Sequence, residues 1–324
     1  MSEPSEPEPS LDVVVCTYNN AAGLDHVLEA LASQRVPGGV DWGVLVVDNN
    51  CTDGTAAVLE RRARDPLALR VVREREQGLT AARRRGVQET SRAWIAFVDD
   101  DCVLGEDWIA RAVAIARRRP EAGAFGGVVA LEWEGDPPEY VQRYGWAYAQ
   151  QEHGSEPTRV DCLAGAGMVV RRAALVETGW PDRQLLADRV GDELISGGDV
   201  EIVLRIGARR ELWFEPGPRL RHVVPARRTA PRHLARLAYG LGASKLFGDS
   251  MLWGGGYPRW VARSLLEALP FARAALSAAR RGRRVDAAVS LSFLGGWLAG
   301  IWRLLRADPE WRDALLGAAT LKRS

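Results

Sequence analysis

The sequence predicts an α/β fold, a mostly parallel sheet flanked by helices with a helical extension at its C-terminal end, and three observations predict it. From residue 11 to residue 101, short apolar runs alternate with amphipathic stretches at helical spacing. Three of those runs end in polar clusters, Thr17 to Asn20, Asp48 to Asp53 and Asp99 to Asp101. Beyond Pro225 the chain reads as almost wholly helical.

The elements follow in order. "LDVVVC" (11–16) is a strand, and Leu24, Val27, Leu28 and Leu31 then recur as one helical face. "WGVLVVDNN" repeats the strand signal and "GTAAVLERRAR" the helix. "LRVVRE" is a third strand, "GLTAARRRGVQE" a third helix and "AWIAFVDDD" a fourth strand. Past residue 120, "AGAFGGVVALEW" and "GAGMVVRR" read as strands around an irregular aromatic stretch, 135–160. A helix is expected from about Asp199 to Arg210, and "ELWFEPGPRLRHVVP" as short extended pieces. The boundary between the α/β part and the helices is placed near residue 230. There is no internal repeat.

Composition narrows the function. The 324 residues are 47% hydrophobic, enough for one large domain or two modest ones. Lys and Arg total 43 against 42 Asp and Glu, so charge gives no reason to expect a nucleic-acid partner. The four cysteines, Cys16, Cys51, Cys102 and Cys162, form no CxxC pair; they read as reduced thiols in a cytoplasmic protein. "MSEPSEPEPS" (1–10) is acidic and Pro-rich without an apolar core, a disordered tail rather than a signal peptide.

In open α/β sheets, ligands gather outside the carboxyl ends of the strands. Three aspartates at such an end repel one another unless a cation joins them. If the strand stays extended through Asp101, Asp99 and Asp101 share one side and Asp100 takes the other. Paired carboxylates favour a hard divalent cation, Mg²⁺ or Mn²⁺, completed by water and phosphate. The plain alternative is a solvated acidic turn or helix cap.

In order and together, "VVVCTYNN", "WGVLVVDNNCTDGT", "REREQGLTAARRRGV", "IAFVDDDCV", "GAGMVVRR" and "SGGDVEIVLRI" resemble family 2 glycosyltransferases over about residues 11 to 225. The resemblance implies the Rossmann-like GT-A fold in a catalytic domain, 11–230, followed by a helical region, 231–324. It also implies metal-dependent transfer, with inversion, of a sugar from a nucleotide diphosphate donor to an acceptor hydroxyl. Carried over residue by residue, Thr17, Tyr18 and Asn19 meet the nucleotide and Asp48 accepts a hydrogen bond from its base. Uracil, thymine and guanine all offer such an N–H, leaving UDP-, dTDP- and GDP-sugars open. Arg83 faces the donor, although the asparagine that usually follows it is Arg84 here. Asp99 and Asp101 match the DxD motif, near the ribose and on the metal respectively, with Asp100 between them in the nucleotide-sugar site. Asp199 matches the general base, although Gly198 replaces the usual preceding glutamate. Glu201 stands about 200° further round that helix and points elsewhere. His222 resembles a histidine that completes the metal shell, with "PARR" (225–228) beside it for phosphate. The aromatics Trp133, Tyr140, Tyr144, Trp146 and Tyr148 fall where such enzymes carry acceptor loops.

Residues 287–302, "AAVSLSFLGGWLAGIW", are uncharged and flanked by Arg280, Arg281, Arg283, Arg284, Arg303 and Arg306. This run is shorter than the about 20 residues of a spanning helix and contains a GxxxG, Gly296 to Gly300. Interfacial attachment, a core helix and a true span are the three readings. The first places the protein peripherally at the inner face of the cell membrane. The resemblance implies a carbohydrate or lipid-linked acceptor in polysaccharide or glycolipid synthesis, with a small-molecule or protein acceptor still open. The rival functions are a nucleotidyltransferase, against which "TYNNAAGL" lacks a phosphate loop, and a non-catalytic nucleotide-sugar-binding scaffold.

Overall fold

The computed structural model describes residues 9–186 and 197–320. Its first part alternates strand and helix: β1 (Leu11–Thr17), α1 (Ala21–Ala32), β2 (Trp42–Asp48), α2 (Thr55–Arg62), β3 (Leu69–Arg73), α3 (Leu79–Glu89) and β4 (Trp94–Asp99). There follow β5 (Cys102–Leu104), α4 (Trp108–Arg118), β6 (Ala124–Trp133), α5 (Glu139–Gln142), β7 (Thr158–Arg159), β8 (Met168–Arg171), α6 (Arg172–Glu177), α7 (Gly198–Gly207) and β9 (Leu212–Val224). The C-terminal region is helical, with α8 (Pro231–Met251), α9 (Tyr257–Glu267), α10 (Leu269–Arg280), α11 (Arg284–Arg306) and α12 (Pro309–Leu315).

One sheet runs in the order β3-β2-β1-β4-β8-β6-β9-β5, with β7 on β9. β1 to β4 are parallel neighbours, whereas β8 enters antiparallel between β4 and β6. Alternation along β1 sorts its valines into two layers. Val13 and Val15 pack with Leu24 and Leu28 of α1, while Val14 packs with Phe97 and Trp180 on the opposite face. All are essentially buried, each stabilising the fold by roughly 1.5–3 kcal/mol. The parallel strands end on one edge, so their polar ends meet there.

Several expectations change. The fourth strand stops at Asp99; Asp100 and Asp101 form a turn, and Cys102 begins β5 opposite His222 of β9. Simple alternation therefore does not orient the three aspartates. The stretch expected as short extended pieces is one strand of 13 residues, β9, because β6 pairs along it on both sides of a bulge near Gly126. The expected 199–210 helix runs Gly198–Gly207, and Ser196 of the "SGGDVEI" stretch lies outside the described residues. The aromatic stretch is not wholly irregular, since it holds α5 and a 3-10 turn, Gly145–Tyr148.

α11 is 23 residues, longer than the uncharged run, and by length and composition alone it could cross a membrane. One of its faces packs inside the protein. A Cβ at Gly296 would overlap the Tyr239 carbonyl, and one at Gly242 of α8 the Phe293 carbonyl, so the two backbones approach as only glycine permits. Trp297 on that face is buried and donates through Nε1 to the Ser264 carbonyl at 2.8 Å. The other face leaves Leu291, Leu298 and Trp302 exposed, Leu291 by 57%.

Candidate active site

A cleft of about 1230 Å³ opens at the C-terminal edge of the parallel strands and continues between the C-terminal helices. The end of β1 forms its floor. Asn19 takes a left-handed φ of 51°, which asparagine tolerates, and its Oδ1 accepts from the Thr52 N–H at 2.8 Å. The turn leaves Tyr18 46% exposed at the cleft. Thr17 Oγ1 donates to Asp100 Oδ2 at 2.7 Å, and Asn20 Nδ2 donates to Asp100 Oδ1 at 2.9 Å. Asp100 thus fastens the end of β1 to the turn after β4. Burial, then the neighbouring Asp101 charge, push its carboxyl up to about 7.

Asp101 meets two partners that lie far away in sequence. Its Oδ2 stands 3.3 Å from His222 Nε2 and 3.1 Å from the Arg228 guanidinium. His222 is buried, and its Nδ1 lies 2.8 Å from the Tyr148 carbonyl, which orients the ring with Nε2 toward Asp101. Burial pulls the imidazole pKa down, but the hydrogen bond and charge of Asp101 outweigh it and the net shift is upward. Tyr148 and Tyr140 also donate to the carbonyls of Arg228 and Thr229, at 2.9 and 2.7 Å, so these aromatics set the turn that carries Arg228.

A carboxylate and a correctly turned imidazole are a donor set that suits Mn²⁺. A positive group already stands on the same oxygen, in the form of Arg228. Among the described residues no group of three or more His, Cys, Asp or Glu gathers to hold a metal. An ion here would therefore need further oxygen ligands from outside this pair.

Arg83, also in the cleft lining, is buried and reaches Asp99 Oδ1 at 3.5 Å, with its guanidinium 5.9 Å from the Phe97 ring. Gly165 completes this corner: a Cβ there would lie 2.6 Å from Asp199 Oδ2 and 3.1 Å from Arg83 Nη2. Gln151, buried, holds the Gly165 loop by accepting from the Ala164 N–H at 2.8 Å while donating to the Gly127 carbonyl.

Asp199 and Glu201 share the first turn of α7 and divide in role. Asp199 is half-buried, lines the cleft and accepts from the Val200 N–H at 2.9 Å; it is not the N-cap, a position held by Gly197. Glu201 is buried. It pairs with Arg205 at 2.5 Å and accepts from the backbone N–H groups of Leu185 and Leu186.

The structure thus brings Thr17, Tyr18, Asn19, Arg83, Asp99, Asp100, Asp101, Asp199 and His222 to one cleft. Asp48 is not among its lining residues; the Asp48 carboxylate accepts from the Cys51 N–H at 2.8 Å. Its neighbour Asn49 does line the cleft, with Oδ1 accepting from the Gly78 N–H at 2.8 Å. Sequence reasoning passed over Gln151 and the Tyr148 carbonyl, whose parts depend on contacts between distant segments, and signalled Gly165 only as part of "GAGMVVRR". Arg228 was signalled only as part of "PARR".

The sheet order, the acidic turn facing a histidine and the carboxylate at the head of α7 define a GT-A glycosyltransferase architecture. A mannosyltransferase from Pyrobaculum calidifontis, solved with GDP-Man and Mn²⁺, superposes with a TM-score of 0.62 at 19% identity, over 91% of this chain and 88% of that one. GalNAc-T7, solved with UDP, GalNAc and Mn²⁺, gives a TM-score of 0.54 at 16% identity, over 76% of this chain and 51% of the other. The model of glycosyl transferase family 2 matches residues 12–179, and the chain belongs to that family. It is 35% identical over 108 residues to glycosyltransferase AglE of Haloferax volcanii, covering 33% of this chain and 35% of the relative. The succinoglycan biosynthesis protein ExoM of Rhizobium meliloti is 30% identical over 119 residues, covering 36% and 38%. The matches thus span little more than a third of either relative.

Proposed function

We propose that this protein is an inverting glycosyltransferase that moves a sugar from a nucleotide diphosphate donor to an acceptor hydroxyl in polysaccharide or glycolipid synthesis. The observation that carries the reading is the convergence in one cleft of the Asp101–His222 pair with Asp199 and Arg83, which meet at Gly165. Tyr18 and Asn19 meet the nucleotide, while Thr17 and Asp100 brace the turn beneath it. Asp48, one residue from Asn49, stays the candidate acceptor for the base. Asp101 and His222 would hold Mn²⁺ or Mg²⁺, which supplies Lewis-acid stabilisation of the departing diphosphate.

The residues of the chain do the rest. Arg83 and Arg228 place fixed positive charge around the donor phosphates, where it needs no reorganisation as negative charge develops. Asp99 holds Arg83 and approaches the ribose. Asp199 accepts the proton of the attacking hydroxyl on the side away from the leaving group, a role worth about 10²- to 10⁴-fold in rate. A single displacement inverts the anomeric centre and needs no enzyme nucleophile.

The exposed leucines of α11 and the arginines at its two ends support peripheral attachment to an anionic membrane surface on the cytoplasmic side. The test is to incubate the purified protein with UDP-, dTDP- and GDP-sugars and an extract of lipid-linked and free glycans, with Mn²⁺ or with EDTA. A single donor used only with metal, giving a product of inverted anomeric configuration by NMR, is the expected result. Metal-independent transfer or a retained configuration would overturn the mechanism.

A further inference from the structure

The cleft does not end at the acidic turn. It continues along one face of α8, where His233, Leu237, Leu241 and Lys245 follow at four-residue steps, and between α10 and α11. From His233 to Lys245 that wall runs about 18 Å at the helical rise of 1.5 Å per residue. This part is mainly apolar, with Leu237 and Leu241 of α8, Phe271 and Ala274 of α10, and Val289 and Phe293 of α11, and its polar groups are Ser244 and Lys245 of α8 and Ser290 of α11. The Phe271 and Phe293 rings stand 4.7 Å apart, and Phe293 is 6.5 Å from Trp146, which is 53% exposed. Among the described residues, α8, α10 and α11 contribute no Asp, Glu, Asn or Gln to the cleft lining.

That composition discriminates between acceptors. A glycan chain presents hydroxyls along its whole length and calls for carboxylates and amides to pair with them, since unpaired polar groups are costly to bury. A hydrocarbon chain asks only for apolar surface. Helices α9, α10 and α11 also carry exposed apolar side chains, with Leu266 of α9 65% exposed, Leu276 of α10 52% and Trp302 of α11 54%. Arg280, Arg281 and Arg283 lie at the junction of α10 and α11 and Arg303 in the last turn of α11, a charge that suits an anionic bilayer.

We propose that the end of the cleft between α8, α10 and α11 is an acceptor subsite for an amphiphile, a polar hydroxyl-bearing headgroup on a hydrocarbon chain. The headgroup lies toward Asp199 and the chain lies against Phe271, Val289 and Phe293, entering from the bilayer side. This assignment rests on the glycosyltransferase reading for the direction of the headgroup, whereas the chain contact stands on the cleft alone.

The probes are hexyl, heptyl, octyl and nonyl β-glucosides below their micelle concentrations, titrated into the full-length protein with tryptophan fluorescence as the readout. Affinity is expected to rise about fourfold per methylene, the equivalent of about 0.8 kcal/mol. Ala274→Asp, at an exposed position in the cleft wall, should abolish the chain-length dependence, and Ser290→Asp provides an independent variant at the same wall. Leu298→Asp, on the outer face of α11, should leave it intact. Chain-length dependence that is absent in the wild type, that survives both cleft variants, or that is lost only in Leu298→Asp overturns the subsite. Mn²⁺-dependent nucleotide binding is measured on the same samples. Its failure alongside intact chain-length dependence would count against the donor reading and leave the apolar subsite standing.

Discussion

Two carboxylates on the first turn of α7 should fail in opposite ways when neutralised. In Asp199→Asn the amide oxygen still accepts from the Val200 N–H and the side chain keeps its shape beside Gly165. The change in stability is limited to a lost helix-dipole interaction of about 0.3–1 kcal/mol. Removing a general base costs about 10²- to 10⁴-fold in rate, which is about 3–5 kcal/mol of transition-state stabilisation. In Glu201→Gln the reverse holds. Glu201 is fully buried against Arg205 and two backbone N–H donors, so an amide there leaves Arg205 without its counter-charge and turns an NH₂ toward a donor. Breaking such a pair costs about 3–5 kcal/mol. At about 2–4 °C per kcal/mol for larger domains, the melting temperature should fall by on the order of 10 °C. The assays are nucleotide release during transfer and thermal unfolding of the same two preparations. If Asp199→Asn retained turnover within threefold of wild type, or Glu201→Gln melted with the wild type, the division of roles would be refuted.

Three further outcomes are expected. His222→Ala should weaken Mn²⁺-dependent nucleotide binding by on the order of tenfold to a hundredfold, as calorimetry can check. Asp286 is buried against the Tyr144 hydroxyl at 2.7 Å and Arg143 at 3.2 Å; burial pushes its carboxyl up, but those hydrogen bonds hold it below the usual range. Its stabilisation is therefore present above the unfolded value of about 3.9 and is lost as pH falls through the lower folded value. Asp286→Asn should cost about 1–3 kcal/mol at pH 7 in urea unfolding, and the difference from wild type should close as the pH is taken below about 4. Vesicles containing anionic lipid should retain the protein in sedimentation. Leu291→Asp with Leu298→Asp should reduce that retention by an order of magnitude or more, given about 1.5–3 kcal/mol for burying each leucine.

What the sequence disclosed was local. A strand buried on both faces must be apolar through its length, so β1, β2 and β4 announce themselves, and the polar residues that follow them mark the edge where a site forms. Helix α1 was equally legible because its buried residues, Leu24, Val27, Leu28 and Leu31, fall on one face. The turn after Asp99 was not, since three aspartates continue a strand or close a turn equally well, and the choice is made by the pairing of Cys102 with His222 on β9. The antiparallel entry of β8 also depends on a partner: Val169 and Val170 are apolar in either direction, and Gly167 donates to the Phe97 carbonyl to fix it. The Arg228 contact with Asp101 spans 127 positions in the chain, and nothing near either residue signals it. Asp53, in the polar cluster after β2, is a turn residue: it accepts from the Ala21 N–H and from Thr55, work that a strand-to-helix turn requires.

The central claim is that the Asp101–His222 corner holds a nucleotide diphosphate through a divalent cation. Its most direct test is titration of UDP, dTDP and GDP into the full-length protein with Mn²⁺ and with EDTA, repeated on Asp101→Ala. The account predicts that one nucleotide binds, that binding needs the metal, and that the substitution abolishes it. Equal binding with and without Mn²⁺, or unchanged binding in Asp101→Ala, would contradict it.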